Sequence, residues 1–162
     1  MSTATAALHR KNNPAAETKV QVCILLLGTN MFGLPITHIL EIVGSAKPQP
    51  VPLAPIFIGG LVHYRGDVLT TVSLRQLLDL PPMKFRQDLL VMESAGGVFG
   101  LLVDSVSEVL TVSSADYEPN PSILEERRRT LFAGAYKLRG SLLVMLDPEQ
   151  LDPMRLNAAR TT

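Results

Sequence analysis

The sequence predicts a mainly β protein that is built from two related half-units with short helices. Its Val, Ile and Leu residues fall in short runs broken by Gly, Pro and Asn, which favours strands over long helices. The segment 31–36 recurs 67 positions later as 98–103. The segment 60–69 recurs 74 positions later as 134–143, and both copies keep a Gly-x4-Arg-Gly frame. Two small modules in series create a seam, and such a seam is a natural place to bind another protein.

Each half-unit begins with a predicted β-hairpin. In the first half the apolar segments 20–27 and 31–36 flank the turn formers Gly-Thr-Asn. In the second half the segments 89–92 and 98–103 flank Ala-Gly-Gly. The repeated sequence therefore predicts that the two halves also share a topology.

Both halves also end in the same way, with a strand and then a helix start. The apolar strands are predicted at 68–72 and 142–146, after each Arg-Gly turn. Ser73 and Asp147 follow them, and each pairs a capping oxygen with Gln at the third helical position. The stretch 47–55 has four prolines, so it is predicted to be a linker within the first half.

These patterns set the predicted boundaries. Residues 1–18 show no sustained apolar period and are predicted to be a disordered tail, while 19–155 form the folded domain. Within it the two halves span roughly 20–80 and 88–152. Residues 156–162 are predicted to be a C-terminal tail.

Composition argues against several functional classes. The 15 basic and 15 acidic residues cancel, and Trp is absent, so a small β-barrel that binds nucleic acid is only a remote alternative. The longest apolar run, 22–27, is far shorter than the roughly 20 residues that span a bilayer. We therefore predict a cytoplasmic protein. The single cysteine, Cys23, lies in that run and is predicted to be an inert packing residue.

No catalytic or metal site is predicted. Of the three histidines, His9 lies in the tail, and His38 and His63 have no nucleophile pattern nearby. One cysteine and no closely spaced histidine pair exclude a zinc cluster from within the chain, and no cofactor motif is present. Glu41 and Glu108 occupy equivalent places in the repeat, but single acids at such strand ends usually face water. We predict no enzyme.

The motifs together resemble the CheW-like adaptor family of bacterial chemosensory signalling, over roughly residues 20–151. The motifs that carry the resemblance are Phe32-Gly33-Leu34-Pro35-Ile36 with Glu41-Ile42, Pro52-x-Ala54-Pro55, Gly59-Gly60, Arg65-Gly66, and Gly100-Leu101-Leu102-Val103-Asp104-x-Val106-x-Glu108-Val109. The last of these is the most specific. The resemblance implies two SH3-like five-stranded β-barrel subdomains packed side by side, with exchange of strands between the halves as an open option.

The same resemblance implies a non-catalytic adaptor. Such a protein bridges the cytoplasmic tip of a methyl-accepting chemoreceptor and the regulatory domain of a CheA-type histidine kinase, and joins membrane receptor arrays through these partners. The receptor-facing positions implied by the resemblance are Ile39, Glu41, Gly60, His63, Tyr64 and Arg65. The kinase-facing positions are Val98, Gly100, Leu101, Asp104 and Val106, of which alternation along a strand lets only about half point outward.

Two alternatives stay open at this stage. Residues 39 and 41 would share a face of an extended strand, but Arg65 could instead pair with Glu41 in a surface bridge contributing roughly 0 to 1 kcal/mol. The chain has His63-Tyr64 where many members of the family have Asn-Leu, which leaves the receptor and the pathway open. A flagellar system and a pilus or other chemosensory system both fit.

Overall fold

The computed structural model describes residues 17–83, 85–119 and 130–161 of the chain. Within these ranges eleven strands form two sheets, and the helices are short. The strands are β1 (Lys19–Leu27), β2 (Asn30–Pro35), β3 (Ile39–Ala46), β4 (Ile58–Tyr64), β5 (Asp67–Ser73), β6 (Gln87–Ser94), β7 (Gly97–Val103), β8 (Ser105–Ser113), β9 (Tyr117–Glu118), β10 (Phe132–Leu138) and β11 (Ser141–Leu146). The helices are α1 (Leu74–Leu77) and α2 (Pro153–Thr161), with 3-10 turns at Ile36–His38, Ser114–Asp116 and Pro148–Leu151.

The predicted mainly β fold with two related halves is confirmed. β1 and β2 pair as an antiparallel hairpin, and β6 and β7 form the equivalent hairpin of the second half. Ser73 caps α1, because its side-chain oxygen accepts a hydrogen bond from the backbone N–H of Gln76. Asp147 accepts the N–H of Glu149 in the same way, but it begins a 3-10 turn rather than an α-helix.

The two sheets do not coincide with the two halves of the sequence, because the hairpin of each half pairs with strands of the other half. The terminal sheet has the order β8-β1-β2-β11-β10-β9, and the central sheet has the order β3-β6-β7-β5-β4. Each exchanged hairpin joins the strands of the other half through one parallel pair, β2 with β11 and β7 with β5. The boundaries 20–80 and 88–152 thus describe sequence repeats, and the optional exchange of strands is present and reciprocal.

Each sheet curls until its two edges approach one another. In the central sheet Gln49, which follows β3, exchanges two 2.8 Å backbone hydrogen bonds with Leu61 of the opposite edge strand β4. In the terminal sheet the edge strands β8 and β9 are joined by a single 3-10 turn. Gly60 makes the first closure possible, because it has φ of +123° and a Cβ there would lie 2.5 Å from the Gln49 carbonyl oxygen.

The exchanged hairpins are buried on both faces. On β1 the alternate side chains Cys23, Leu25 and Leu27 enter the main core, which is shared between the two sheets. The intervening Val22 and Ile24 enter a separate cluster inside the terminal sheet. β6 and β7 divide likewise between the main core and a cluster inside the central sheet. Cys23 is fully buried, as predicted, and burial raises the pKa of its thiol.

The C-terminal segment is helical beyond the predicted domain boundary at residue 155. Residues 156–161, predicted to be part of a tail, continue as α2, and Leu156 packs against the main core. Asp152 stabilises the start of this helix, because its carboxylate accepts the N–H of Met154 at 2.8 Å. Pro153 is the first residue of this helix, a position that proline favours. The predicted N-terminal tail lies outside the described residues as far as residue 16.

Candidate functional site

The most evident binding feature is an apolar groove where the two sheets meet. Leu40 and Ile42 of β3 and Val109 of β8 are 50%, 46% and 51% exposed, respectively. They border a concavity of about 350 Å³. We call it the seam groove, and it is lined by Cys23, Ile36, Ile39, Leu40, Glu41, Ile42 and Val109. Because Ile42 and Val109 are equivalent residues of the repeat, both half-units contribute the same position to it.

The groove exists because β3 and β8 lie at the edges of their sheets. β3 pairs with β6 and β8 pairs with β1, and both pairings contain a register shift of the kind that a β-bulge produces. One shift lies between Ile39 and Glu41. Exposure alternates along β3, so that Leu40 and Ile42 face outward while Ile39 and Val43 face inward. An edge strand with apolar residues on both faces is suited to covering by a partner.

A charged pair borders the groove. Arg65 lies in the β4–β5 turn, where its φ of +50° and that of Gly66, +83°, match a type I′ hairpin turn. This turn brings Nη2 of Arg65 to 3.2 Å from Oε1 of Glu41. The guanidinium also lies over the ring of Tyr64, with Cζ 5.4 Å from the ring centroid. The three residues form what we call the border triad.

The border triad is a pre-formed but exposed interaction. Desolvation and a hydrogen bond with Glu41 raise the pKa of Tyr64, and the hydrogen bond with Glu41 raises the pKa of Arg65. Tyr64 is thus neutral and Arg65 cationic at neutral pH. Since the Arg65 side chain is largely exposed, solvent screens the pair, which contributes little to folding. Its directional groups remain available to a partner.

The structure brings together most of the residues predicted to face a receptor. Glu41, Tyr64 and Arg65 form the border triad, and exposed His63 lies next to it on β4. The structure places the other two predicted residues apart from the border triad. Ile39 packs against the main core and also lines the seam groove, and the bulge between Ile39 and Glu41 separates their side chains. Gly60 is buried at the closure of the central sheet, where its backbone approaches Gln49.

The structure places most of the residues predicted to face a kinase inside the fold. Leu101 is fully buried in the main core. Gly100 is also buried, and a Cβ there would lie 2.6 Å from Leu89. Val106 is half-buried and packs against the main core. Of the five, Val98 alone has an exposed side chain, at 43%, because exchange of the hairpin buries the following residues of β7 on both faces.

Asp104, the fifth of these residues, holds the junction between the sheets. Its carboxylate accepts two 2.6 Å hydrogen bonds from Nε and Nη2 of Arg75, which follows β5. It also accepts the N–H of Gly28, in the β1–β2 turn, at 2.6 Å. The side chains of Arg75 and Asp104 are only 11% and 10% exposed. A partner could not reach this carboxylate without breaking the junction.

The described residues contain neither a metal-binding cluster nor a membrane-spanning helix. No cluster of three His, Cys, Asp or Glu side chains in these ranges could hold a metal ion. Over the same ranges, none of the helices combines the length and hydropathy that crossing a membrane requires. The groove and its border triad are therefore the features from which a function can be argued.

Comparison with known proteins places the chain in a family. The model of the CheW-like domain matches residues 21–153. The chain belongs to the CheW-like family. It is 30% identical over 129 residues to the chemotaxis protein CheW of Rhizobium meliloti, which covers 78% of this chain and 83% of that protein. It is 29% identical over 97 residues to the protein FrzA of Myxococcus xanthus, covering 59% and 61% of the two chains.

A solved structure confirms the fold of this CheW-like chain. The scaffolding protein TtCheW of Thermoanaerobacter tengcongensis superposes with a TM-score of 0.75 at 21% identity. The match covers 83% of this chain and 92% of that one. The chain thus shares its overall fold with this solved scaffolding protein.

Sequence reasoning missed the residues that open the groove of this CheW-like domain. Leu40, Ile42 and Val109 were not predicted as site residues. A signal was present, since the run 39–43 is apolar at every position but Glu41, and a half-buried edge strand should alternate. Apolar residues on both faces of such a strand indicate that something covers the second face.

The Asp104 junction predicts an acid sensitivity for this CheW-like domain. Burial alone raises the pKa of Asp104, but the hydrogen bonds from Arg75 and Gly28 and the charge of Arg75 outweigh it, so the pKa lies below its usual value. A lowered pKa gives stability that is complete above the unfolded-state pKa and is lost as pH falls through the folded-state pKa. The free energy of unfolding should therefore fall below about pH 4.

Urea unfolding at several pH values, on the wild type and on Asp104→Asn, measures this effect. The difference in unfolding free energy between the two proteins should be largest at neutral pH and should shrink as the medium is acidified. A difference that stays constant from pH 7 to pH 3 would show that Asp104 is not the titrating group.

Proposed function

We propose that this protein is a non-catalytic adaptor that couples a methyl-accepting chemoreceptor to a CheA-type histidine kinase at the cytoplasmic tip of the receptor. The observation that carries the proposal is the seam groove, which presents half-exposed aliphatic side chains from both barrels beside the border triad. The likeness to proteins named for chemotaxis and scaffolding supports it.

The groove suits the helical hairpin of a receptor tip. An amphipathic helix docks by laying aliphatic side chains into an apolar groove, and Leu40, Ile42 and Val109 supply that contact. Directional polar groups then fix the orientation of the helix, because a misplaced charge costs more than it gains. Arg65 offers a planar fork for a carboxylate or for helix-end carbonyl groups, and Glu41 offers an acceptor.

An adaptor needs a second surface that the receptor leaves free. The loop 51–56 provides one, because Leu53 is fully exposed, Ile56 is largely exposed and Val51 is partly exposed. Leu53 also has a φ of +63°, a conformation that is unfavourable for leucine. The loop shares no residue with the lining of the seam groove. We assign it to the regulatory domain of the kinase.

Co-sedimentation with receptor fragments and with the kinase, singly and together, tests the assignment. Arg65→Glu should abolish receptor association and keep kinase binding, because it reverses the charge of the exposed guanidinium. Leu53→Glu should have the opposite result. Arg139→Glu is the matched control, since Arg139 is the exposed equivalent of Arg65 in the second Arg-Gly turn.

The result of this crossed design decides both assignments. Unchanged receptor affinity in Arg65→Glu would remove the border triad from the receptor site. Loss of both partners in one variant with an intact thermal transition would show one shared surface instead of two. Receptor fragments from a flagellar and from a pilus-type system, run in parallel, identify the pathway. His63 and Tyr64, beside Arg65, are the residues expected to make that choice.

A further inference from the structure

The two crossovers between the sheets, although equivalent in the repeat, are built differently. In the first half the chain passes from β2 to β3 through the 3-10 turn Ile36–His38, and the N–H of Ile39 bonds to the carbonyl of Ile36. The equivalent residue in the second half is Val106. Its N–H donates instead to the carboxylate of Asp88 at 2.9 Å. In the second half, a hydrogen bond to the Asp88 side chain thus replaces the backbone hydrogen bond of the 3-10 turn in the first half.

This hydrogen bond joins the two sheets close to the seam groove. Asp88 lies on β6 of the central sheet, and Val106 lies on β8 of the terminal sheet. On β6, Leu90 is two residues from Asp88 and pairs in register with Ile42 of β3. On β8, Val109 is three residues from Val106. The bond therefore connects, through short and paired strand segments, the two strands that form opposite sides of the groove.

Asp104 supports the same crossover from its other side. It directly precedes β8, and its contacts with Arg75 and Gly28 tie the crossover to both sheets. Ser105 is the only residue between Asp104 and Val106. Two carboxylates thus hold the start of β8, one through Val106 and one through Arg75 and Gly28.

We propose that Asp88 and Asp104 are positioning residues that fix β8 relative to β3 and thereby set the width of the seam groove. Neither carboxylate contacts the bound partner. The first part of the proposal concerns the geometry of the protein alone, and the second part, the effect on receptor binding, rests on the proposed function. A hydrogen bond to a carboxylate is stronger and more directional than one between neutral groups, which suits it to holding two edge strands at a fixed separation.

The test compares Asp88→Ala with Asp88→Asn in the full chain. Alanine removes the acceptor, whereas the side-chain carbonyl of asparagine still accepts the N–H of Val106. Nitroxide labels on cysteines placed at the exposed positions Glu93 of β6 and Thr111 of β8 report the separation of the sheets, because Cys23 is buried and stays unlabelled. Amide exchange at Val106 and affinity for the receptor fragment complete the measurement.

Asp88→Ala should broaden the label distance distribution, accelerate exchange at Val106 and weaken receptor binding about fivefold, the effect of losing roughly one hydrogen bond. Asp88→Asn and the control Asp116→Ala, at an exposed acid in the 3-10 turn Ser114–Asp116, should keep wild-type values. If the alanine variant does not fold, Asp88→Ser, whose hydroxyl is too short to reach, takes its place.

An unchanged distance distribution in Asp88→Ala would overturn the proposal. A broadened distribution with unchanged receptor affinity would overturn its second part. If a charge placed in the groove also left receptor affinity unchanged, the groove would not be the receptor site and the proposed function would be wrong on that point. The distance measurement would still test whether Asp88 fixes the separation of the sheets. The two failures are therefore distinguishable.

Discussion

Replacing Asp104 with alanine should lower the free energy of unfolding by about 3 to 5 kcal/mol. The change leaves Arg75 largely buried with its charge no longer paired, and it frees the N–H of Gly28 as well. Removing one member of a buried ion pair is costly because the remaining charge has lost both water and its partner. Urea unfolding monitored by circular dichroism measures the loss, with the slope compared between variants.

Two variants sharpen this measurement. Asp116→Ala removes an exposed carboxylate and should change the unfolding free energy by less than about 0.5 kcal/mol. The double variant Arg75→Met with Asp104→Leu removes both charges and should recover much of the loss, since apolar replacement of a whole buried pair is often neutral. A single variant as stable as the wild type would mean that the junction does not hold the sheets together.

Ile42→Asp should weaken association with a receptor fragment by about a hundredfold, because it buries an unpaired carboxylate in an apolar contact. The free protein should fold normally, since the Ile42 side chain is 46% exposed before binding. Isothermal titration with the receptor fragment measures the affinity, and the thermal transition checks the fold.

Met154→Asp is the matched control for this groove variant. Met154 is 75% exposed on α2 and does not line the groove, so the same type of change there should leave receptor affinity unaltered. Equal losses in the two variants would point to a nonspecific effect of charge. Full affinity in Ile42→Asp would remove the groove from the receptor site.

Local features of the fold could be predicted from the sequence because local chemistry decides them. The turn formers after Leu27 and after Ser94 define two hairpins, and both form. The exchange of those hairpins was only an option, because alternation of apolar residues says that a strand has two buried faces but not which partner covers each. Leu101 illustrates the difficulty, since it is equally apolar whether it faces a kinase or the main core.

The site was predictable to a similar degree. The border triad was named from its motif, and the pairing of Glu41 with Arg65 was foreseen as an alternative. The bulge after Ile39 was not predicted, because a one-residue register shift leaves no signature in composition. This bulge changes which side chains face outward. Leu40 and Ile42 therefore became visible as site residues only when the register was known.

The reciprocal exchange of hairpins also constrains how such a sequence can evolve. Residues of β1 and β2 must fit side chains of β8 and β11, which belong to the other repeat, and β6 and β7 must fit β3 and β5. A change of side-chain size in one copy therefore needs a matching change in the other copy if the packing is to be kept. Recombination that replaced only one copy with a distant relative's would produce mismatched packing in both barrels at once.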